Sequence, residues 1–392
     1  MHNGSSKIFK IDTLFLLFIT FALMPDIFKM CGINIKPMYL LFLIFLGILI
    51  YKRKCILPDK AIIGLFIYSF LISVVAIPIW GIGRRLLNYS FGMVVLAIFC
   101  TLGKKVSFER WLIILQKVWL TVVVAVCINN LVHYKVFREY FYLKLNHPAL
   151  DTLIVGGVNI EASWIAMLTL AFGHRKDRIV PLVVSCFFSL LYASRCGIIA
   201  NFLVAFFFIY GSKPYEKLKK RITRGVLCSC IGFCAMVVLF LTPLSGNLLL
   251  KVFSRITEIG HDPGSLGRFA MWKYIPPLIC MQPFGVGLGN AMKGISKISP
   301  LVYEENNVHC VIIQMFCEIG IIGGILYINA WWKFLIKNIK SLFKNPLIQI
   351  LFIYLVLSLV QFGGGETIFF CMLGIYLVTN KYEMRGMEIN GK

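Results

Sequence analysis

Three basic side chains are the main candidates for chemistry in this sequence. Arg195 lies in the middle of a long apolar run, where a cation costs at least about 2.5–3.5 kcal/mol unless water or a partner compensates it. Arg268 lies in the segment RFAMW, and His309 follows a polar stretch at the start of another apolar run. Guanidinium groups hold phosphate oxygens in a bidentate manner, and imidazole titrates near neutral pH. These residues predict a site for an anionic ligand.

Four further residues are candidates for substrate binding. Trp272 follows Arg268 by four positions, so the two share a face if this segment is helical. Gly287 and Gly289 lie in PFGVGLGN, which lacks the spacing of a nucleotide-binding loop. That segment predicts either a turn whose backbone amides approach a ligand or a simple flexible loop. Glu161 is a titratable group at the predicted start of an apolar run.

The segment that follows His309 predicts a membrane helix. Asn307 would cap its N-terminus, and Gly320, eleven positions after His309, would lie on the same face as the histidine. Gly320 and Gly324 form a G-x-x-x-G pair that is typical of close helix packing. Glu318 would be buried and hydrogen-bonded to another helix.

Each basic candidate also has a structural interpretation. Arg195 could be a turn residue whose side chain reaches the membrane surface, and Arg268 could belong to an amphipathic interfacial helix. His309 could be an interfacial polar residue. The six histidines show no zinc-binding spacing, and the 13 cysteines lie mostly in apolar runs, so we expect neither a metal site nor a cofactor.

The composition places these candidates in a polytopic membrane protein. Of the 392 residues, 59% are hydrophobic and 15% are charged, whereas soluble domains carry about 25% charged residues. Charge-poor runs recur at lengths of about 20 residues, which as a helix span the hydrocarbon core. We predict an all-α fold with about 12 crossings, forming a single integral membrane domain over residues 1–392.

Basic links between the apolar runs set the predicted orientation. Most of the 40 Lys and Arg residues lie in such links, for example KPYEKLKKRITR at 213–224, which the positive-inside rule assigns to the cytoplasm. This distribution explains the net charge of +23 better than binding to nucleic acid does. Both termini are then cytoplasmic, and the long outer loops are 133–160 and 245–307. The cations in these outer loops favour an anionic ligand there.

Four motifs occur in order along the second half of the chain. They are Ser194-Arg195 at an outer bend, RFAMW, QPFGVGLGN and NNVHCVIIQMFCEIGIIGG. Together they resemble the bacterial O-antigen polymerase and O-antigen ligase superfamily of membrane glycosyltransferases, whose His-x₁₀-Gly element is similar to His309–Gly320. The ligases carry an Arg-x₃-Leu element, whereas Ile199 occupies the fourth position after Arg195 here.

The resemblance implies transfer of an oligosaccharide from an undecaprenyl diphosphate donor on the outer side of the bacterial inner membrane. A nucleotide sugar, a metal and other cofactors are not implied. A polymerase for O-antigen or capsule moves the growing glycan onto the next lipid-linked repeat unit, and a ligase moves it onto the lipid A core. The implied partners are the lipid-linked oligosaccharide, the bilayer, a chain-length regulator and a flippase.

The candidate residues suit that chemistry. A lipid diphosphate gains negative charge as it leaves, so Arg195 and Arg268 would stabilise the transition state. His309 would be either the base for the acceptor hydroxyl or a third phosphate partner, and a helix N-terminus favours the second role. We expect a polymerase. A ligase, a peptidoglycan-type polymerase and a transporter of lipid-linked oligosaccharides remain open, although a transporter predicts internal repeats and none is evident.

Overall fold

The described part of the chain is helical and contains no strand, so the prediction of an all-α protein is confirmed there. The predicted crossing from about Gly225 to Pro243 lies outside it, as do residues 137–149 of the loop 133–160 and residues 245–262 and 301–307 of the loop 245–307. A computed structural model describes residues 3–28, 36–53, 55–56, 60–136, 150–211, 263–300 and 308–390.

The helices follow the apolar runs of the sequence closely. In chain order they are α1 (Asn3–Leu23), α2 (Pro37–Lys52), α3 (Lys60–Trp80), α4 (Arg84–Leu102), α5 (Phe108–Val132), α6 (Val158–Leu168), α7 (Ile179–Leu191), α8 (Arg195–Gly211), α9 (Pro263–Trp272), α10 (Ile275–Met281), α11 (Ala291–Ile298), α12 (Val311–Leu342), α13 (Pro346–Leu357) and α14 (Thr367–Asn390).

Four of these helices are long and apolar enough to cross a membrane. They are α3, α4 with its 3₁₀ extension to Lys105, α5 and α12. Shorter apolar helices of 10–17 residues supply the other candidate crossings. The chain is therefore an integral membrane protein, and the number of about 12 crossings stays a prediction.

The main core joins helices from both halves of the chain. In α1, the Phe15 ring packs against Phe45 of α2 and Trp111 of α5, with ring centroids 5.0 and 4.8 Å apart. The Trp119 indole N–H of α5 donates to the Ile165 carbonyl of α6 at 3.0 Å. Because lipid supplies little hydrophobic drive between helices, such packing and polar contacts hold the bundle together.

A second, smaller core lies between α12 and the short helices α9, α10 and α11. Its buried members include Met271, Leu278, Ile295 and Cys317. The short helices come from the predicted large outer loop, so they place part of that loop against one end of the bundle. Directly before α11, Asn290 donates its side-chain amide to the Gly81 carbonyl at 3.1 Å, and this hydrogen bond joins the short helices to the link between α3 and α4.

Helix α12 is interrupted at Gly320, whose φ of 73° and ψ of −175° are not helical. The Val286 amide donates to the Cys317 carbonyl at 3.0 Å, and the Ile321 amide donates to the Pro283 carbonyl at 2.9 Å. The loop that contains Pro283 and Val286 thus satisfies backbone groups that the break releases, as a low-dielectric setting requires. Gly320, which the sequence assigned to close helix packing, instead interrupts the helix so that this loop can bond to its backbone.

The start of α12 differs from the prediction. The helix begins at Val311 with Cys310 as the N-cap residue, three positions after Val308, and the predicted cap Asn307 lies outside the described residues. His309 lies before the first turn with φ of 59°, so the prediction that it shares a helical face with Gly320 is wrong. At its other end the helix continues to Leu342, and Trp331 and Phe334 pack on each other and against α14.

Replacing Gly320 with alanine should destabilise the protein, because a β-carbon there would overlap the Pro283 carbonyl and the Phe284 backbone. Positive φ adds roughly 1–2 kcal/mol for a residue with a side chain. We expect the Tm of the purified protein in detergent, followed by intrinsic fluorescence, to fall by on the order of 5 °C. Gly64→Ala is the matched control, since its β-carbon would meet no atom within 4 Å. An equal Tm for both variants would contradict the docked kink.

Candidate functional site

Arg195 is the first residue of α8, directly after the bend that the sequence predicts between two short helices. The chain turns at Ala193, which adopts φ of 45°. Ser194 is fully buried, and its hydroxyl oxygen accepts a hydrogen bond from the Gly197 amide at 3.0 Å. This contact caps the start of α8, so the bend is confirmed and Arg195 stands at a fixed helix end.

Glu161 supports this bend from α6. Its buried carboxylate accepts hydrogen bonds from the Leu153 and Ile154 amides at 3.0 and 3.1 Å. The Tyr192 hydroxyl, three residues before Arg195, donates to the same carboxylate at 2.7 Å. The structure therefore gives Glu161 a structural task, and its contact with substrate stays a prediction.

The helix α9 carries Arg268 and Trp272 one turn apart, as the sequence predicts. The Trp272 indole N–H donates to the Val308 carbonyl at 3.0 Å. Val308 is buried and His309, which follows it, is half-buried. This hydrogen bond fixes the end of α9 beside the histidine.

Arg195 and Arg268 come from distant parts of the sequence to the same neighbourhood. Both guanidinium groups exert an electrostatic effect on the buried Cys196 thiol. Since Trp272 ties the same short helix to the residue before His309, the three predicted catalytic residues belong to one region of the molecule.

The two glycines of the outer loop point their amides toward Glu318 of α12. The Gly287 amide donates to the Glu318 backbone carbonyl at 2.8 Å, and the Gly289 backbone lies near the Glu318 carboxylate. The Gly287 amide is thus engaged within the protein, whereas the sequence left open that it approaches a ligand. Substrate contact by these glycines stays a prediction.

Glu318 is the acidic partner of an arginine that the sequence did not single out. Arg85 Nη1 of α4 lies 3.7 Å from the Glu318 carboxylate, and both side chains are buried. Gln314 donates its side-chain amide to the same carboxylate at 2.7 Å. Glu318 is buried as predicted, but its partner on another helix is an ion-pair partner, and its side-chain hydrogen bond comes from α12 itself. Arg85 was missed because the motif GIGRR has the composition of an ordinary outer turn.

The segment FGGGE before α14 joins this cluster. Glu366 accepts hydrogen bonds from the Tyr354 hydroxyl and from the Gly363 amide, the latter at 2.7 Å. The backbone at Gly363 and Gly364 is close to Arg85, since a β-carbon at either position would lie 3.5 or 3.4 Å from Arg85 Nη2. In the sequence, the only indication of this polar cluster is that Glu366 lies between two apolar runs.

A cavity of about 430 Å³ opens above this cluster. The segments that line it are the end of α1, the starts of α2, α4 and α14, and the chain around α6 and the first turn of α12. The sequence assigns all these ends to the outer side, and the structure gathers them at one end of the bundle. Gly289, Gln314 and Glu366 contribute to the lining.

The apolar helices and the polar site at one end of their bundle define a polytopic membrane protein with a site at one end. A comparison with known protein families indicates which family of membrane proteins part of the chain resembles. The model of the O-antigen ligase family matches residues 180–328. The match supports a relation between this segment and the O-antigen polymerase and ligase superfamily. No curated protein matches the sequence.

The matched range includes Arg195, Arg268 and His309, whereas Arg85 and Glu366 lie outside it. Within the described ranges, no group of three or more His, Cys, Asp or Glu residues is placed to hold a metal ion.

The Arg85–Glu318 pair gives a stability prediction. Removing one partner of a buried ion pair leaves the other uncompensated, which costs about 3–5 kcal/mol. We expect Arg85→Gln and Glu318→Gln each to lower the Tm, and the double variant to lose less than the sum of the two. A double-mutant cycle of thermal unfolding measures this coupling. Arg84→Gln, at the exposed neighbouring position, is the control. Strictly additive losses would show that the pair is not coupled.

Proposed function

We propose that this protein is a polymerase for O-antigen or capsular polysaccharide, a membrane glycosyltransferase that moves an undecaprenyl diphosphate-linked glycan onto the next lipid-linked repeat unit. The observation that carries the proposal is the convergence of Arg195, Arg268 and the His309 segment within the range matched by the O-antigen ligase family. Two arginines in the same region as a histidine suit a diphosphate leaving group.

The reaction needs charge stabilisation more than covalent chemistry. The acceptor hydroxyl oxygen forms a bond to the anomeric carbon of the donor, the bond from that carbon to the diphosphate oxygen breaks, and the hydroxyl proton passes to a base. The lipid diphosphate leaves with its charge increased. Arg195 and Arg268 stabilise that charge more strongly in the transition state than in the ground state. No metal is required in this scheme.

His309 is proposed as a partner of the phosphates. Its position just before the N-terminus of α12 favours a bound anion through the helix dipole and disfavours a charged imidazolium. The hydrogen bond from Trp272 to Val308 holds the backbone next to it in place. In the other role left open by the sequence, His309 takes the proton from the acceptor hydroxyl.

The proposed orientation places the site on the outer face of the bacterial inner membrane, with both termini in the cytoplasm. The support is that the outer segments assigned by the positive-inside rule share one end of the bundle. Proposed partners are a chain-length regulator and a flippase that delivers the lipid-linked repeat unit.

An O-antigen ligase is the second candidate, because the matching family carries that description. The donor, the leaving group and the roles of Arg195, Arg268 and His309 are the same in both reactions. Only the acceptor differs, being the lipid A core in a ligase.

Arg268→Gln and His309→Asn should each abolish the long-chain glycan in a host that depends on this protein. The first removes a phosphate-binding cation, and the second removes the imidazole but keeps a residue that tolerates positive φ. Lys273→Gln is the matched control, because it removes an exposed cation from the same segment. Membrane levels are compared by immunoblot and glycans by gel. A normal ladder in the Arg268 or His309 variant at equal protein level would refute its assignment.

Deleting the gene should leave a host with single capped repeat units on its surface, because the acceptor of a polymerase is another repeat unit. The measurement is the gel profile of the surface polysaccharide with and without complementation by the wild-type gene. An uncapped core would assign the protein as a ligase instead. An unchanged profile would contradict both candidates.

A further inference from the structure

The cavity at the outer end of the bundle has a lining unlike that of a lipid or phosphate site. Hydrogen-bonding side chains of several kinds meet there, among them Asn88, Gln314, Glu366 and Thr367. Aromatic residues also contribute, with Trp164 buried and Tyr39 half-exposed. Amide, carboxylate and hydroxyl groups beside an aromatic ring can bond hydroxyls while packing against a C–H surface.

The lining carries three cations, Lys36, Arg84 and Arg85, and one acid, Glu366. Two of these cations are paired with acids outside the lining, since Arg85 lies 3.7 Å from Glu318 and Lys36 lies 3.5 Å from Asp26. Arg84 and Glu366 then remain as one cation and one acid. A diphosphate carries at least two negative charges, and two of the three lining cations already have acidic partners, so the site suits an uncharged ligand better.

Two buried donors at the cavity have no hydrogen-bond acceptor among the described residues. They are Arg85 Nη2 and Trp164 Nε1. The Trp164 side chain is 1% exposed and its ring packs against Tyr354 and Phe362, so it cannot turn toward solvent without repacking. Buried donors are nearly always paired in folded proteins, and a hydroxyl-bearing ligand supplies the acceptors.

We propose that this cavity binds an uncharged sugar unit of the glycan substrate, next to the diphosphate site at Arg195 and Arg268. The identity of the glycan rests on the proposed function. Sugar hydroxyls both donate and accept, which matches the mixture of guanidinium, amide and carboxylate groups. The cavity adjoins the candidate catalytic region, because Gln314 lies five positions after His309 and Ile160 directly precedes Glu161. Exposed Arg84, Asn88 and Val155 form an entrance for the glycan.

Binding of a glycan without lipid or phosphate tests this assignment. The probe is the oligosaccharide released by mild acid from the host's own surface polysaccharide, titrated into the full-length protein in detergent and followed by saturation-transfer NMR. We expect Asn88→Ala and Trp164→Phe to weaken binding by about threefold to tenfold, as the loss of one hydrogen bond implies. Ser90→Ala on the same helix, which does not line the cavity, should bind as the wild type does.

Sodium pyrophosphate is the second probe. If it displaces the oligosaccharide, or if the wild type does not bind the oligosaccharide, the sugar assignment is wrong. Equal affinity of wild type, Asn88→Ala and Trp164→Phe also overturns it. Arg268→Gln should bind the oligosaccharide normally while losing the polymer. A normal polymer in Arg268→Gln together with weakened binding in Asn88→Ala would reject the proposed catalytic site and retain the sugar site.

Discussion

The buried carboxylate of Glu318 is the constraint on which the cavity end of the bundle depends. An ionised group in an apolar interior is tolerated only when it is paired and hydrogen-bonded. Arg85 of α4 supplies the ion pair, and Gln314, one turn earlier in α12, supplies the hydrogen bond. The Gly289 backbone of the outer loop lies near the same carboxylate. Moving α4 away from α12 would leave this buried carboxylate without its cation. The group therefore helps to fix the relative position of the loop and the helices.

A second buried carboxylate, Glu161 of α6, plays a parallel part. Glu161 holds the backbone at Leu153 and Ile154 and receives the Tyr192 hydroxyl. Tyr192 precedes the bend that presents Arg195, so the position of that arginine depends on α6 as well as on its own helix. In both clusters the acid anchors the backbone and side chains around it.

Hydropathy and basic links predicted most helices of the described chain to within a few residues, because crossing a bilayer demands a fixed apolar length. The bend before Arg195 was also predictable, since its apolar run is too long for one crossing. The break at Gly320 could not be predicted, because a G-x-x-x-G pattern also occurs in continuous helices that pack closely. Only the loop residues near Val286, far away in sequence, show where the released backbone groups bond. The role of Arg85 could not be predicted either, because its partner Glu318 lies more than 200 residues away in the sequence.

The interruption of α12 has a consequence for the order of assembly. The Val286 and Gly287 amides donate hydrogen bonds to the carbonyls of Cys317 and Glu318, which are synthesised later. Until that helix arrives, the amides need water, so the loop must wait in the aqueous phase rather than in the bilayer. Its docking is then a late event that closes the outer end after the helices are inserted. The glycine-rich sequence, with no bulky side chains at Gly285, Gly287 and Gly289, suits a segment that folds onto a surface already formed.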